Sequence, residues 1–235
     1  MQTGDDLPAL IARAAGELRD GDVLVIAQKV VSKSEGRTRR LTDVQPGTRA
    51  RELASEHAKD ARLVQIVLEE TAELLRADHG VLICETRQGL VCANAGVDMS
   101  NTPGPDVALL LPEDPDGSAR RLRARLRELT GARVGVVISD SFGRAWRLGL
   151  TDVAIGAAGI APLDDWRGRA DARGRKLQAT EVALADELAA AADLARTKDS
   201  QEPVVLIRGA ERAVTELDGP GAAALRRPPA LDLFR

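Results

Sequence analysis

The spacing of apolar residues along the chain switches repeatedly between helical and strand periodicity. The first apolar segment, "DDLPALIARAAGELRDGD", predicts a helix because its apolar residues recur on one face, with Asp6 as a cap and Pro8 in the first turn. The following segment, "DVLVIAQKVVSK", spans residues 22–33 and is rich in β-branched residues. That composition predicts a strand.

The next third of the chain continues this mixture. The segments "TRARELASEHAKD" and "ARLVQIVLEETAELLRA" carry apolar residues at helical spacing, and each predicts a helix. The segment "GVLICETRQGLVCANAG" predicts two short strands that are joined by a tight turn at Gln88 and Gly89.

The second half of the chain alternates between the two periods. Ser118 is predicted to cap the helix "ARRLRARLRELT", which Gly131 ends, and Thr180 is predicted to cap "TEVALADELAAAADLA". The segments "RVGVVISD" and "EPVVLIRG" predict strands, whereas "TDVAIGAAGIAPL" predicts a strand or a packed loop. The chain is therefore expected to be a mixed α and β (α+β) protein. Without a repeat or a linker, we expect residues 1–235 to form a single module.

Composition and charge exclude several classes of protein. Lys and Arg total 33 and Asp and Glu total 36, so the net charge is −3, whereas nucleic-acid-binding domains are usually basic. Two Trp, two Phe and no Tyr leave few side chains to stack on bases. No segment approaches the ~18 apolar residues of a membrane span. The start shows no secretory signal and the two cysteines form no CxxC motif, so we expect a cytoplasmic protein without a nucleic-acid or membrane partner.

Oxygen-bearing side chains follow two of the predicted strands. Asp98, Ser100 and Asn101 follow one strand, and Asp140 and Ser141 follow another. Two carboxylates with hydroxyl or amide oxygens are suitable ligands for Mg²⁺ or Mn²⁺, which leave positions for water and phosphate. The alternative is that these acids only cap turns.

Two further segments carry exposed positive charge. Lys29 and Lys33 leave a predicted strand together with hydroxyl groups, and such a cluster can bind phosphate, although it is no Walker A or GxGxxG loop. Solvated lysines are the alternative. Arg144 and Arg147 flank Trp146, and guanidinium groups bind phosphate or carboxylate. We infer from charge that both arginines hold an anionic substrate. A surface turn whose tryptophan seals the core is the alternative.

Five longer segments occur in this order: "GDVLVIAQKVVSKSEGR", "AGVDMSN", "VVISDSFGRAWRLGLTDVAIGAAGIAPL", "TEVALADELAAAADLA" and "PVVLIRG". Together they resemble the GTP-dependent glutamate ligases that extend the deazaflavin coenzyme F420. This family includes stand-alone archaeal enzymes and the N-terminal half of a two-domain actinobacterial protein. The resemblance covers nearly the whole chain.

The resemblance implies a fold and an activity. The expected fold is a mixed α+β one whose two sub-domains form a cleft, and it assembles as a butterfly-like homodimer. The expected reaction attaches L-glutamate to the lactyl-phosphate end of F420-0 and then adds γ-linked glutamates. GTP is converted to GDP through an acyl phosphate. Two Mn²⁺ or Mg²⁺ ions are expected, and K⁺ as a stimulating ion.

The resemblance also implies roles for individual residues. Asp98 and Asp140 match the family's metal-binding acids, which also makes them the expected catalytic residues. Ser141 stands where the family usually has a metal-binding Thr and keeps the hydroxyl. The expected nucleotide-binding residues are Gln28, Lys33 and Asn101.

Two departures from the family pattern leave alternatives open. Family members carry a "GLPEI"-like, GTP-contacting segment before the "GDDL"-like stretch, whereas this sequence starts at "MQTGDDL". Either the start is misplaced or the chain is trimmed, or else the nucleotide pocket is incomplete. Arg196, Thr197 and Lys198 stand where the family has an "MGK"- or "MGQ"-like turn. The alternatives are a related GTP-dependent ligase for another small carboxylic acid, and a catalytically impaired homologue.

Overall fold

A computed structural model describes residues 1–102, 104–197 and 199–233. Six α-helices and eleven strands form within these residues. In chain order they are α1 (Leu7–Ala15), β1 (Val23–Ala27), α2 (Gln28–Ser34), β2 (Thr38–Arg40), α3 (Thr48–His57), α4 (Ala61–Glu70), β3 (Thr71–Asp78), β4 (Val81–Thr86), β5 (Val91–Ala93), β6 (Val107–Leu109), α5 (Pro115–Thr130), β7 (Gly135–Arg144), β8 (Arg147–Ala158), β9 (Asp164–Asp165), β10 (Glu181–Val182), α6 (Leu184–Ala195) and β11 (Val204–Ile207).

The segment 22–33 is not one strand, so that prediction was wrong in its second half. Strand β1 ends at Ala27, and helix α2 follows without a linker. Gln28, Val31 and Ser32 are buried at the i, i+3 and i+4 positions of this helix. Burial of one helical face therefore overrides the strand propensity of the two consecutive valines.

The helix predicted for "ARLVQIVLEETAELLRA" is also shorter than expected. Helix α4 ends at Glu70, and the Thr71 hydroxyl donates a hydrogen bond to the Val67 carbonyl at 2.6 Å. The remainder is strand β3, which pairs antiparallel with β4, so that Leu74 lies opposite Cys84. Tertiary pairing with β4 thus decides the conformation of a segment whose local pattern is helical.

Two predicted helix caps were wrong. Helix α5 begins at Pro115, where a proline needs no hydrogen-bonded N–H, so Ser118 lies buried inside the helix. Helix α6 begins at Leu184 with Ala183 as its N-cap, and Thr180 lies before strand β10. Gly131 ends α5 as predicted: it has a φ of 76°, and its N–H donates to the Arg127 carbonyl.

The described residues form two compact units. The first contains Met1–Asp6, Gln28–Asp114 and Phe142–Leu150, and the second contains Leu7–Ala27, Pro115–Ser141 and the chain from Thr151 onward. The large middle segment of the first unit is therefore an insertion within the sequence of the second. None of the helices in the described ranges combines the length and the apolar character that crossing a membrane requires.

The second unit is built on a four-stranded sheet with the order β11-β1-β7-β8. Strand β1 pairs parallel with β7, Val23 opposite Gly135 and Ala27 opposite Ser139, and pairs antiparallel with β11. Its core consists of aliphatic side chains of the sheet and of α6, among them Val25, Val137 and Leu188. Strands β9 and β10 form a separate two-stranded sheet.

The first unit contains two smaller sheets. Strands β3, β4 and β5 form an antiparallel meander, and β2 pairs antiparallel with β6. Helices α3 and α4 pack on the meander through Leu53, Val64 and Leu82. The two strands predicted around Gln88 and Gly89 are confirmed as β4 and β5.

Asp116 connects three parts of the second unit. Its carboxylate is 6 % exposed, and Oδ1 accepts hydrogen bonds from the N–H of Ala157 at 2.8 Å and of Ala222 at 2.7 Å. Oδ2 accepts one from Ala223 at 3.2 Å. Gly221 comes so close that a Cβ there would lie 2.3 Å from the Asp116 Cγ. The carboxylate thus holds the C-terminal segment against α5 and β8.

We expect Asp116→Ala to destabilise the chain by at least about 3 kcal/mol. The substitution leaves three backbone N–H groups without their acceptor, and each such group costs ~1–3 kcal/mol when buried. Urea unfolding measures the loss. Glu128→Ala on the same helix is the control, because it removes only an exposed ion pair with Arg125 that is worth ~0–1 kcal/mol. Equal unfolding midpoints for both variants would contradict this assignment.

Candidate active site

Asp98 is presented by a short loop that the backbone constrains closely. The preceding turn, Asn94–Gly96, contains left-handed residues, with φ of 51° at Ala95 and 71° at Gly96. A Cβ on Gly96 would lie 2.6 Å from the Leu111 side chain, so only glycine fits there. Asp98 then exchanges two backbone hydrogen bonds with Leu109 in β6, at 3.0 and 2.8 Å.

The Asp98 carboxylate already holds a cation of the protein itself. The Lys29 ammonium lies 2.6 Å from Oδ2, and Ser100 donates to the carboxylate from its N–H at 2.6 Å and from its hydroxyl at 3.0 Å. Lys29 Nζ also donates to Ser100 Oγ at 2.5 Å. Burial raises the pKa of the Asp98 carboxyl, but the hydrogen bonds from Lys29 and Ser100 lower it by more, so that it lies below its ordinary value.

Helix α2 carries both lysines and Gln28. The sequence predicts that Lys29 belongs to a phosphate-binding cluster, whereas in the structure its ammonium forms an ion pair with Asp98. Gln28 is 3 % exposed, and its amide donates to Ser32 Oγ at 2.8 Å and to the Leu110 carbonyl at 3.1 Å. Burial, reinforced by the nearby Lys29 charge, holds the pKa of Lys33 below its usual value. The nucleotide contacts of Gln28 and Lys33 stay predictions.

Asn101 lies in an exposed turn directly after this cluster. Its φ is 54°, a left-handed conformation that asparagine tolerates better than most residues. The first unit therefore brings Asp98, Ser100 and Lys29 together, with Asn101 adjacent in sequence.

Asp140 and Ser141 occupy the second unit, on strand β7 just beyond its fully buried part. The strand is buried from Gly135 to Ser139, half-buried from Asp140 to Phe142, and exposed at Gly143 and Arg144. Because successive side chains of a strand point to opposite faces, Ser139 and Ser141 share one face and Asp140 lies on the other. Ser141 Oγ donates to Asp152 Oδ1 at 2.6 Å.

Asp152 is a buried residue of this site that the sequence did not single out. It lies on β8, is 2 % exposed, and also accepts hydrogen bonds from Ser139 Oγ at 2.9 Å and from Arg196 Nη2. The one available signal is a lone acid in the apolar segment "TDVAIGAAGIA", since a buried carboxylate requires partners.

The Arg196 segment forms the turn after helix α6. Arg196 directs its guanidinium inward to Asp152 and Ser139, and its side chain is 9 % exposed. Thr197 Oγ1 donates to Asp199 Oδ1 at 2.7 Å. Lys198, the third residue of the predicted departure from the family pattern, lies outside the described residues.

Arg144 and Arg147 lie at the exposed end of the β7–β8 hairpin. Arg144 Nη2 donates to the Leu148 carbonyl at 3.2 Å. Trp146 between them is 83 % exposed, so the alternative in which this tryptophan seals the core is wrong for the single chain. The substrate contact of the two arginines stays a prediction.

The donor atoms fit a hard divalent cation. Asp98, Asp140 and Ser141 offer only carboxylate and hydroxyl oxygens, the ligands that Mg²⁺ and Mn²⁺ prefer. In this structure the Asp98 carboxylate pairs with the Lys29 ammonium. No group of three or more Asp, Glu, His or Cys side chains suited to a metal occurs among the described residues. A site with few protein carboxylates is the kind that leaves positions for water and phosphate.

The two cysteines are packed side chains. Cys84 and Cys92 are both buried and lie opposite each other in β4 and β5. Burial raises the pKa of the Cys84 thiol, which disfavours the reactive thiolate.

Comparison with known proteins assigns the chain to a family. Residues 1–209 match the family model described as "F420-0:Gamma-glutamyl ligase". A relative from Methanopyrus kandleri named "Coenzyme F420:L-glutamate ligase" is 48 % identical over 237 residues, covering 100 % of this chain and 93 % of the relative. The chain belongs to the F420-0:γ-glutamyl ligase family. It is therefore a member of a family of amide-bond-forming ligases.

Two further members of the ligase family are similar over most of the chain. Both carry the name "Coenzyme F420:L-glutamate ligase". The one from Methanothermobacter thermautotrophicus is 45 % identical and covers 99 % of this chain and 93 % of its own length. The one from Archaeoglobus fulgidus is 46 % identical and covers 89 % of this chain and 83 % of its own length. The resemblance drawn from the sequence segments is confirmed.

We expect Lys29→Met to raise the pKa of the Asp98 carboxyl. The wild-type pKa lies below the ordinary value because of the Lys29 and Ser100 hydrogen bonds, and burial opposes them. Without Lys29 a smaller pKa-lowering effect opposes burial, so the Asp98 carboxylate becomes protonated at a higher pH. Carbon-detected NMR titration of the Asp98 carboxyl measures this change.

The control for this titration is Lys33→Met, which removes the same charge from the same helix and spares the Lys29–Asp98 contact. The pKa of Asp98 should rise much less in this variant. An Asp98 pKa that is equal in wild type and Lys29→Met would show that the ion pair does not form in solution.

Proposed function

We propose that this chain is a GTP-dependent ligase that joins L-glutamate to F420-0 and then adds further γ-linked glutamates. One observation carries the proposal: relatives named "Coenzyme F420:L-glutamate ligase" are 45–48 % identical over 99–100 % of the chain. The candidate residues support it, because acids, hydroxyls and lysines are the groups that phosphoryl transfer needs.

The proposed chemistry follows from the poor reactivity of a carboxylate. A carboxylate oxygen of the acceptor attacks the γ-phosphorus of GTP, the bond to the β-phosphate oxygen breaks, and GDP leaves. The amine of glutamate then attacks the acyl carbon of the acyl phosphate, loses a proton, and expels inorganic phosphate. An amide bond results, and one GTP is consumed for each glutamate. Most of the rate would come from positioning and from stabilised charge.

Each candidate residue has a proposed role in this reaction. Asp98, Asp140 and Ser141 would hold Mn²⁺ or Mg²⁺, with two ions in all, and the metal would neutralise charge that develops on the phosphate oxygens. The nucleotide-binding residues would be Gln28, Lys33 and Asn101. Arg144 and Arg147 would hold the anionic acceptor. We further propose stimulation by K⁺ and a cytoplasmic location.

We also propose a homodimer. Trp146, Leu148 and Leu150 at the end of the β7–β8 hairpin are 83 %, 99 % and 64 % exposed in the single chain. Neighbouring apolar side chains that project into water are typical of a protein contact surface. A second copy of the chain is the proposed partner at this hairpin.

Purified chain that is given F420-0, L-glutamate, GTP and Mn²⁺ should yield products heavier by one or more glutamyl residues, with release of GDP. Mass spectrometry and a GDP assay measure this.

Asp140→Asn should lower turnover at least about a hundredfold, because mutation of even the hydrogen-bond partners of metal ligands lowers metal affinity or activity about 10–100-fold. Asp43→Asn, which changes an exposed acid, is the control and should remain active. GDP release with another acid but not with F420-0 would favour the alternative ligase.

Leu148→Glu should convert the dimer into a monomer, because it places a charge on the proposed contact surface. Analytical ultracentrifugation of wild type and variant measures the mass. Leu194→Glu introduces the same charge at another exposed leucine, 90 % exposed on α6, and should leave the dimer intact. A wild-type chain that sediments as a monomer would overturn the proposed assembly.

A further inference from the structure

The buried Asp152 carboxylate gathers three donors inside the second unit. Ser141 Oγ donates to Oδ1 at 2.6 Å, and Ser139 Oγ donates to Oδ2 at 2.9 Å. Arg196 Nη2 donates to the same Oδ2 and to Ser139 Oγ, the latter at 2.8 Å. Asp152 is 2 % exposed and the Arg196 side chain 9 %. The cluster is therefore a buried ion pair with two serine hydroxyls attached.

This arrangement determines the direction in which the Ser141 hydroxyl donates its proton. A serine hydroxyl has one proton to donate, and a carboxylate can only accept. The Ser141 proton is therefore directed to Asp152. What the oxygen can present to a cation is lone-pair density, with the proton on the opposite side. A cation is repelled by a hydroxyl proton and attracted by these lone pairs, so the orientation matters for binding.

Arg196 has a separate part in the cluster. A buried carboxylate without a counter-charge is costly, and the guanidinium supplies that charge. Because the Arg196 guanidinium can only donate hydrogen bonds, it also fixes the orientation of the Asp152 carboxylate, with Oδ2 toward the guanidinium. The bond that it donates to the carboxylate goes to Oδ2, whereas Ser141 donates to Oδ1.

We propose that Asp152 is a positioning residue that directs the lone pairs of Ser141 toward a divalent cation, with Arg196 compensating its buried charge. Partners that orient metal ligands in this way typically contribute about 10–100-fold in metal affinity. The inference rests on the proposed role of Asp140 and Ser141 as metal ligands. It assigns a function to Asp152, which lies on the neighbouring strand β8 and is joined to Ser141 by a hydrogen bond.

The test compares two charge-neutral variants, because removing one partner alone would strand a buried charge. In Asp152→Asn/Arg196→Met the amide oxygen can still accept the Ser141 proton. In Asp152→Ala/Arg196→Met the acceptor at position 152 is removed. Binding of Mn²⁺ to the full chain without substrates is measured from the electron paramagnetic resonance signal of free Mn²⁺. Thermal unfolding confirms that both variants are folded.

The Asn variant should bind Mn²⁺ about tenfold more tightly than the Ala variant, at the lower end of the range for such partners. When Ser141→Ala is added to both, this difference should disappear, because Asp152 is proposed to act only through the hydroxyl. Equal affinities of the two original variants would overturn the proposal. A difference that persists without the Ser141 hydroxyl would also overturn it, since it would show a purely structural effect.

Three single variants, Asp186→Asn, Asp140→Asn and Ser141→Ala, separate this inference from the proposed function. Asp186→Asn alters another carboxylate that contacts β8, through the Ala154 N–H at 2.9 Å, and should leave Mn²⁺ affinity unchanged. Asp140→Asn should abolish tight binding. If Asp140→Asn has no effect, the metal site itself fails and the inference with it. If Asp140→Asn abolishes binding while Ser141→Ala does not weaken it, only the inference fails.

Discussion

The parallel pairing of β1 with β7 is the constraint on which the second unit depends. Val23–Ile26 and Val136–Ile138 are fully buried, as expected for parallel strands that are covered on both faces. The register places Ala27 opposite Ser139, so the first polar side chains of β7 come where this pairing ends. A shift of one residue would exchange the faces of Asp140 and Ser141, and with them the contact to Asp152.

Two buried charged side chains of the second unit lie directly against glycines. Arg123 is 7 % exposed and donates to the Val134 carbonyl and to Asp218. A Cβ on Gly159 would lie 2.2 Å from the Arg123 Nε, and one on Gly221 would meet Asp116 at a similar distance. The backbone therefore closes tightly around each charged group, which supplies the hydrogen bonds that a buried charge requires.

The two units prepare candidate ligands by different means. In the first unit a left-handed turn and two backbone hydrogen bonds hold Asp98, and Lys29 and Ser100 stabilise its ionised form. In the second unit Asp140 and Ser141 directly follow the fully buried part of strand β7. Both arrangements place candidate oxygen ligands on backbone that is held by its own hydrogen bonds. Such preorganisation is what a ligase that depends on positioned charge would use.

The sequence alone determined the mixed α and β composition, the family, and the candidates Asp98, Asp140 and Ser141. These features depend on residues that are adjacent in sequence: a short apolar segment that ends in polar residues can be recognised without knowing the fold. Tertiary structure decided the rest. Strand β3 exists because β4 pairs with it, helix α2 because one of its faces is buried, and Asp152 became part of the site because folding brings Ser141 and Arg196 to it. Such contacts join residues that are distant in sequence, so a local sequence pattern does not predict them.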